Sequence, residues 1–589
     1  YTAESPSAPG RVLIDPNTFS QDGTVALSGV WVSEDGARAV YSKSDAGTDW
    51  RQLYVLDVAT GDQLSDHLKW IKFSSVAWTH DGAGFFYARY DAPEDPKNLE
   101  AVQQGQKLYY HRLGTEQSAD QLILERPDKP RWGFSPSVTE DGSTLLIYNW
   151  EGTEPRNRVF YLDLSKKWTV EPLLMDFDAR YSVIGKDGSR LFVKTDNQAP
   201  RGRVIAFDMS KPKPADWTEV IPESEHTLTG VGLVGERFIV QTMRDAHSHV
   251  AIHDLKGAHV RDVELPGIGT ASGFGGKRSD TETFYSYTSF LTPGTIYRYD
   301  VASGASQVFR SPSVEMNKDA YTVEQVFYPS KDGTRIPMFL IYAKGMKRDG
   351  SNPTYLYGYG GFKIAIKPRY STIYRVWLEM GGVVAIANLR GGGEYGKAWH
   401  DAGRLKNKQN VFDDFHAAAQ WLTSAGITRP DRLGIGGRSN GGLLVGAAIT
   451  QRPELYGAAL PGVGVLDMLR FHKFTIGWAW TSDYGSPDDP EMFKVLRAYS
   501  PLHNVASGKS YPATLVTTGD HDDRVVPGHS FKFAAALQAA QGGTAPVMIR
   551  IETRAGHGAG KPTKMRIEEW SDQWSFLAHA LKMELPKGF

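Results

Sequence analysis

The sequence contains no cysteine, so a disulfide framework, a thiolate metal site and a cysteine nucleophile are all excluded. It has no excess of charge: 66 lysines and arginines face 67 aspartates and glutamates, a formal charge of −1. No global basic field therefore exists to hold a nucleic acid or an anionic membrane. It also lacks an uninterrupted apolar run of about 18 residues of the kind that spans a bilayer. The chain reads as soluble, in the cytoplasm or the periplasm, with no nucleic-acid and no membrane partner. Residues 1–11 lack a charged-then-apolar signal pattern, so a targeting segment is expected to be absent or already removed. What is present is 589 residues, 41% hydrophobic and 23% charged, enough at roughly 150 residues per domain for two to four domains with deep cores.

Two periodicities divide the chain. Up to about residue 310, short apolar or aromatic runs are broken by Asp-Gly turns at Asp35-Gly36, Asp81-Gly82, Asp141-Gly142 and Asp187-Gly188, an all-β pattern. Alternating runs end in Asp57, Asp163, Asp208, Asp254 and Asp300, with His111 in the same place, and these six marks lie 54, 52, 45, 46 and 46 residues apart. That period fits one four-stranded propeller blade per repeat and gives six blades, with room for a seventh. From about Tyr321 strands alternate with helix-like stretches, which predicts an α/β domain with a parallel sheet. Its expected elements include a buried strand over 383–387, an Ala-rich helix over 412–422 and a strand at Leu433-Gly434-Ile435. A last helix carries an apolar stripe of Ile567, Trp570, Trp574, Leu577 and Leu581, read as core. The domains are thus a propeller over 1–310 and an α/β domain over 311–589.

Between the strand at 433–435 and a helix beginning near Leu443 lies Gly437-Arg438-Ser439-Asn440-Gly441. A serine on such a sharp strand-to-helix turn is presented at the top of the sheet, with flanking glycines removing side chains that would clash. The helix N-terminus aims backbone N–H groups at the same place, so the Asn440 amide can serve an oxyanion. A serine hydroxyl needs a base, and that base needs an acid, both downstream in this fold. His557 sits between two glycines after the strand-like run 547–552, and Asp520, Asp522 and Asp523 follow the run 515–519. Spacing alone leaves the three aspartates open. Gly391 to Gly396 matches a dinucleotide fingerprint, but the residues after it lack the periodicity of a phosphate-capping helix, so it reads as a loop. His247 and His249 share a strand face without further ligands, so no metal and no cofactor are expected.

Longer segments resemble a known family. Gly437-Arg438-Ser439-Asn440-Gly441-Gly442, the run 519–527 and Ala555-Gly556-His557-Gly558-Ala559-Gly560-Lys561-Pro562 are similar to motifs of the prolyl oligopeptidase family. So are Tyr357-Gly358-Tyr359-Gly360-Gly361-Phe362 and the run 471–477. The resemblance implies an α/β-hydrolase catalytic domain capped by a seven-bladed β-propeller, with the first blade incomplete because family members usually begin with a long further segment. It implies Ser439 as nucleophile, His557 as base, Asp522 as acid, and Tyr359 with Asn440 as oxyanion donors. Trp480 would stack on a substrate proline, with Phe362, Val465, Tyr484 and Val525 lining the rest of the pocket, and Arg524 and Arg203 would bond the peptide backbone. The implied activity is a serine endopeptidase that hydrolyses short proline-containing peptides after proline, as a monomer. The alternatives are a related oligopeptidase cleaving after basic residues, an esterase or lipase sharing the triad, and a propeller that binds partners over an inactive hydrolase domain.

Overall fold

The computed structural model describes residues 1–95, 101–314, 316–558 and 560–589, so Ala559 of the histidine motif lies outside the described residues. Six four-stranded antiparallel sheets occupy the first half. The strands Arg51–Asp57, Lys107–Arg112, Arg158–Asp163, Arg203–Asp208, His247–His253 and Thr295–Asp300 are the third of each sheet. Each sequence mark therefore falls at the end of a third strand. The aspartates recur for a local reason: Asp57, Asp163, Asp208, Asp254 and Asp300 accept a backbone N–H two or three residues on, closing the next turn. The glycines of the four Asp-Gly turns have φ between 60° and 72°, where a side chain would be strained. The resemblance implied seven blades with the first incomplete; the described residues form six, and the first has all four of its strands, Val25–Val32 to Gln63–Ile71.

Five apolar clusters join successive blades, each mixing aromatic and branched residues of two neighbouring sheets, such as Phe86 and Phe134 between the second and third. Between the sixth and first blades Lys277 reaches Glu34, and Arg310 Nη2 donates to the carbonyl of Pro6, in the segment before the first blade, at 3.1 Å. Strand polarity puts the loops between second and third strands, which carry Asp49, Thr153, Asp196 and Asp245, on the side of the second domain. The Asp-Gly turns lie at the opposite end. There Arg278 reaches from the sixth blade to Asp187 and Glu236 of the fourth and fifth.

The second half builds one eight-stranded sheet. Its strands are β1 (Tyr321–Pro329), β2 (Arg335–Ala343), β3 (Thr354–Tyr357), β4 (Val383–Ala387), β5 (Leu433–Arg438), β6 (Ala458–Gly462), β7 (Ala513–Gly519) and β8 (Val547–Glu552). The order is β1-β2-β4-β3-β5-β6-β7-β8, with every pair from β4 onward parallel. Parallel strands buried on both faces need continuous apolar runs, and Val383–Ala387 is buried at all five positions. The helices Gln409–Ser424 and Asn440–Gln451 cover one face through Phe412, Phe415, Leu443 and Val445. Thr372–Glu379 and Thr563–Ala580 cover the other, where Trp377 and Trp574 pack 5.0 Å apart. The stripe of the last helix is core only in its second half: Trp574, Leu577 and Leu581 are buried, whereas Ile567 is 61% exposed. Its first turns overhang the sheet and, with Val376, Trp570 and Phe589, line an open apolar groove of about 710 Å³.

At the one mark that is not aspartate, His111 is fully buried between two carboxylates, Nδ1 2.6 Å from Asp120 and Nε2 3.0 Å from Asp66. Burial favours the neutral ring, but the hydrogen bonds and charges of Asp120 and Asp66 outweigh it and raise its pKa to about 9. The folded value lies above the ordinary 6.5, so this stabilisation is complete below about pH 6.5 and is lost as pH rises through about 9. Replacement His111→Ala strands two buried carboxylates and is expected to cost about 3–5 kcal/mol. Thermal melting of the variant against pH should show the lower stability and a flatter decline between pH 7 and 10.

Candidate active site

Ser439 stands between β5 and the helix Asn440–Gln451 with φ 60° and ψ −120°. That region costs a non-glycine residue of order 1–3 kcal/mol. The strain is held by close packing: a Cβ on Gly437 would collide with the Gly441 carbonyl, and one on Gly441 would lie 2.8 Å from the Gly358 carbonyl. The Ser439 N–H donates to Gly462 O at 2.9 Å, tying the turn to β6.

The acid and base follow the ends of β7 and β8. His557 Nδ1 lies 2.7 Å from Asp522 Oδ2. Asp522 is fully buried, and its other oxygen accepts the N–H groups of Arg524 at 3.0 Å and Val525 at 2.8 Å. The other two aspartates are engaged elsewhere: Asp520 accepts the Arg554 N–H and bonds His521, while Asp523 takes the Lys72 ammonium at 2.8 Å. Asp523 also accepts the Asp49 N–H at 2.9 Å, and Asp49 holds Arg524 through two bonds of 2.9 and 2.5 Å. Lys72 and Asp49 belong to the propeller, so the loop carrying Asp522 is clasped from the other domain. Burial opposes charge on Asp49, but Arg524 prevails and holds it below its ordinary value. Burial and the neighbouring Asp49 push Asp523 up despite Lys72.

Seven of the residues singled out in the sequence meet in one cavity of about 260 Å³: Ser439, Tyr359, Phe362, Val465, Trp480, Tyr484 and Arg524. Trp480 ends the turn Gly477–Trp480 and stacks parallel to Phe471, with ring centres 6.2 Å apart. Phe362 meets Tyr484 edge-on at 5.3 Å. The propeller completes the wall, since Thr153 donates through both N–H and hydroxyl to the Ala479 carbonyl at 2.9 Å, beside Trp480. Val525 is buried behind the acid loop. Tyr359 shares this cavity with Ser439, and burial first, with Tyr357 and Asp483, raises its phenol pKa far above the usual range.

Arg203 is not brought to this cavity. It lies on a third blade strand, where Glu219 on the neighbouring outer strand draws its guanidinium away at 3.1 Å. A residue that no motif revealed lies beneath the serine turn instead. Lys408 is buried, donates to Gly360 O at 2.8 Å and Asn440 Oδ1 at 3.1 Å, and is pulled by burial down to about 8. Asn440 Oδ1 also accepts the Tyr484 hydroxyl at 2.9 Å, while its Nδ2 donates to Tyr359 O at 2.5 Å. One buried network thus fixes the Asn440 side chain and the Tyr359 backbone together. The Gly391–Gly396 segment is a loop before a helix of only five residues, Lys397–Asp401, and its Glu394 is buried. His249 faces Asp262 at 3.6 Å, and no cluster suited to a metal occurs among the described residues.

Comparison with known proteins agrees with this geometry. Residues 1–312 match the prolyl oligopeptidase N-terminal beta-propeller domain, and residues 368–584 match the prolyl oligopeptidase family. A prolyl endopeptidase of Elizabethkingia miricola is 46% identical over 572 residues, which cover 97% of this chain and 81% of that one. A solved structure from a mechanistic analysis of two prolyl endopeptidases superposes with a TM-score of 0.95 at 44% identity, covering 99% of this chain and 86% of the other. Prolyl oligopeptidase B of Galerina marginata, solved with a 25-residue macrocyclisation substrate, gives 0.94 at 35% identity over 99% and 85%. By sequence, by fold and by the residues gathered around Ser439, this chain belongs to the prolyl oligopeptidase family.

Proposed function

We propose that the protein is a serine endopeptidase that hydrolyses short peptides on the carboxyl side of proline through an acyl-enzyme. One observation carries the reading: the serine, a flat indole and an aromatic wall share a single small cavity in which, among the described residues, no carboxylate takes part. Proline is rigid, apolar and lacks an N–H, so aromatic planes recognise its shape without stranding a donor. A side chain of Lys or Arg would need a carboxylate there, which disfavours cleavage after basic residues. The same wall gives an esterase or lipase nothing that the triad alone would not supply.

In the reaction, Ser439 Oγ attacks the carbonyl after the proline while His557 takes its proton, and Asp522 keeps the imidazole in the required tautomer. The oxyanion receives the Tyr359 hydroxyl and the Asn440 N–H, both fixed before substrate arrives. His557 then protonates the departing amine, and water repeats the sequence to release the acid. Arg524, held by Asp49, presents its guanidinium to the peptide backbone. The propeller closes the cavity from above and limits entry to short peptides. The substrate is thus a short proline-containing peptide, the protein acts as a monomer, and the chain divides into a propeller over 1–310 and a catalytic domain over 311–589.

Parallel proline and arginine reporter peptides test the specificity; only the proline peptide should be cleaved, and Ser439→Ala should abolish its hydrolysis while leaving the circular dichroism unchanged. Equal or preferential cleavage after arginine would overturn the reading. Replacement Tyr359→Phe should lower kcat by about 10²–10³ with little change in KM. Lys408→Met removes the ammonium that supports Gly360 and Asn440 but leaves both oxyanion donors present, and should cost kcat less, about tenfold. Asp49→Asn should speed amide exchange of residues 520–526 by about tenfold, as measured by mass spectrometry.

A further inference from the structure

Beyond the serine cavity, and sharing Thr153, Phe362 and Ile364 with it, lies a larger chamber of about 780 Å³ between the two domains. Five cationic side chains and two carboxylates line it. Both carboxylates are already neutralised: Glu154 by Arg156 at 2.9 Å, and Asp196 by Lys363 at 2.8 Å. The remaining three cations are Arg180, Lys194 and Arg201, and none has a carboxylate within ion-pair distance among the described residues. Lys194 is half-buried and its ammonium donates to one backbone carbonyl, Thr229 O at 2.7 Å. Burial, then the charges of Arg180 and Lys363, pull its pKa down to about 8, with Asp196 the only group acting the other way. A surplus of one sign along a cleft with low-dielectric walls concentrates its field there.

We infer that this chamber is a carboxylate subsite, in which Lys194 and Arg180 bind an acidic group of the peptide whose proline occupies the serine cavity. The inference rests on the post-proline reading for what fills the chamber, because the one anionic group a short peptide carries is a carboxylate, on a side chain or at its C-terminus. A guanidinium offers that group two parallel N–H donors, and an ammonium adds a compact charge. The carboxylate relieves the mutual repulsion of the two cations, so its binding is favoured beyond a single exposed ion pair. The subsite selects for sequence around the proline, whereas the aromatic wall selects for the proline itself.

The test uses matched proline peptides: glutamate against glutamine at successive positions on either side of the proline, and a free C-terminus against an amide. In the unaltered protein the carboxylate member of at least one pair should have a kcat/KM about tenfold higher, through KM, equivalent to 1.4 kcal/mol. A preference confined to the glutamate pairs assigns the group to a side chain, and one confined to the termini assigns it to the C-terminus. In Lys194→Met with Arg180→Gln the ratio within that pair should fall towards one, each neutral peptide serving as its own reference. No carboxylate preference in the unaltered protein, or a preference that survives the double replacement, overturns the inference. A second measurement needs no turnover and no new fold in the chamber: fluorescence anisotropy of labelled glutamate and glutamine peptides on Ser439→Ala. The free-acid and amidated forms are compared in the same way: tighter binding of the carboxylate member of either pair supports the subsite even if no proline bond is cut, and equal binding within both pairs refutes it even if hydrolysis after proline is efficient.

Discussion

The structure depends on a small buried cluster of charge where the two domains meet. Asp49 and Lys72 of the propeller hold Arg524 and Asp523 of the catalytic domain, and the residue next in sequence is the acid that orients His557. Buried charges tolerate little displacement, because each is compensated only while its partner stays in place. The position of Asp522 is therefore set as much by the first half of the chain as by the sheet it follows. The wall of the serine cavity shows the same dependence, since Thr153 of the third blade holds the carbonyl of Ala479 beside Trp480. Neither domain contains a complete site.

Within the catalytic domain the serine turn stores strain that its surroundings overdetermine. Glycines on both sides let the backbone approach closely, and the adjoining helix start is pinned by Asn440, whose side chain is bonded by Lys408, Tyr484 and the Tyr359 carbonyl. In the proposed mechanism this network holds the backbone of both oxyanion donors in place before charge develops. A buried ammonium beneath them has, among the described residues, no carboxylate bonded to it, and the cost of burying it is sustained only because neighbouring packing supplies the difference.

What the sequence disclosed was whatever is enforced locally. Five of the six blade marks are legible because an aspartate closing its own turn acts over two or three residues, and the serine turn is legible because its glycines are required by sterics within five. Interactions across long separations left no such trace. Lys72 and Asp523 are 451 residues apart, and nothing in either neighbourhood distinguishes a buried partner from a solvated charge. Arg203, singled out by resemblance alone, lies outside the lining of the serine cavity and pairs with Glu219, a cross-strand partner that its own neighbourhood does not disclose. Periodicity identified the last helix but not how far its stripe is covered, and Ile567 lies beyond the edge of the sheet.

The clasp on the acid loop also bears on biosynthesis. Translation proceeds from the N-terminus and domains fold as they emerge, so Asp49 and Lys72 leave the ribosome hundreds of residues before the segment they restrain. Throughout synthesis the half that clasps the acid loop precedes the half that bears it. The catalytic half is therefore made in the presence of the partner that covers its acid loop.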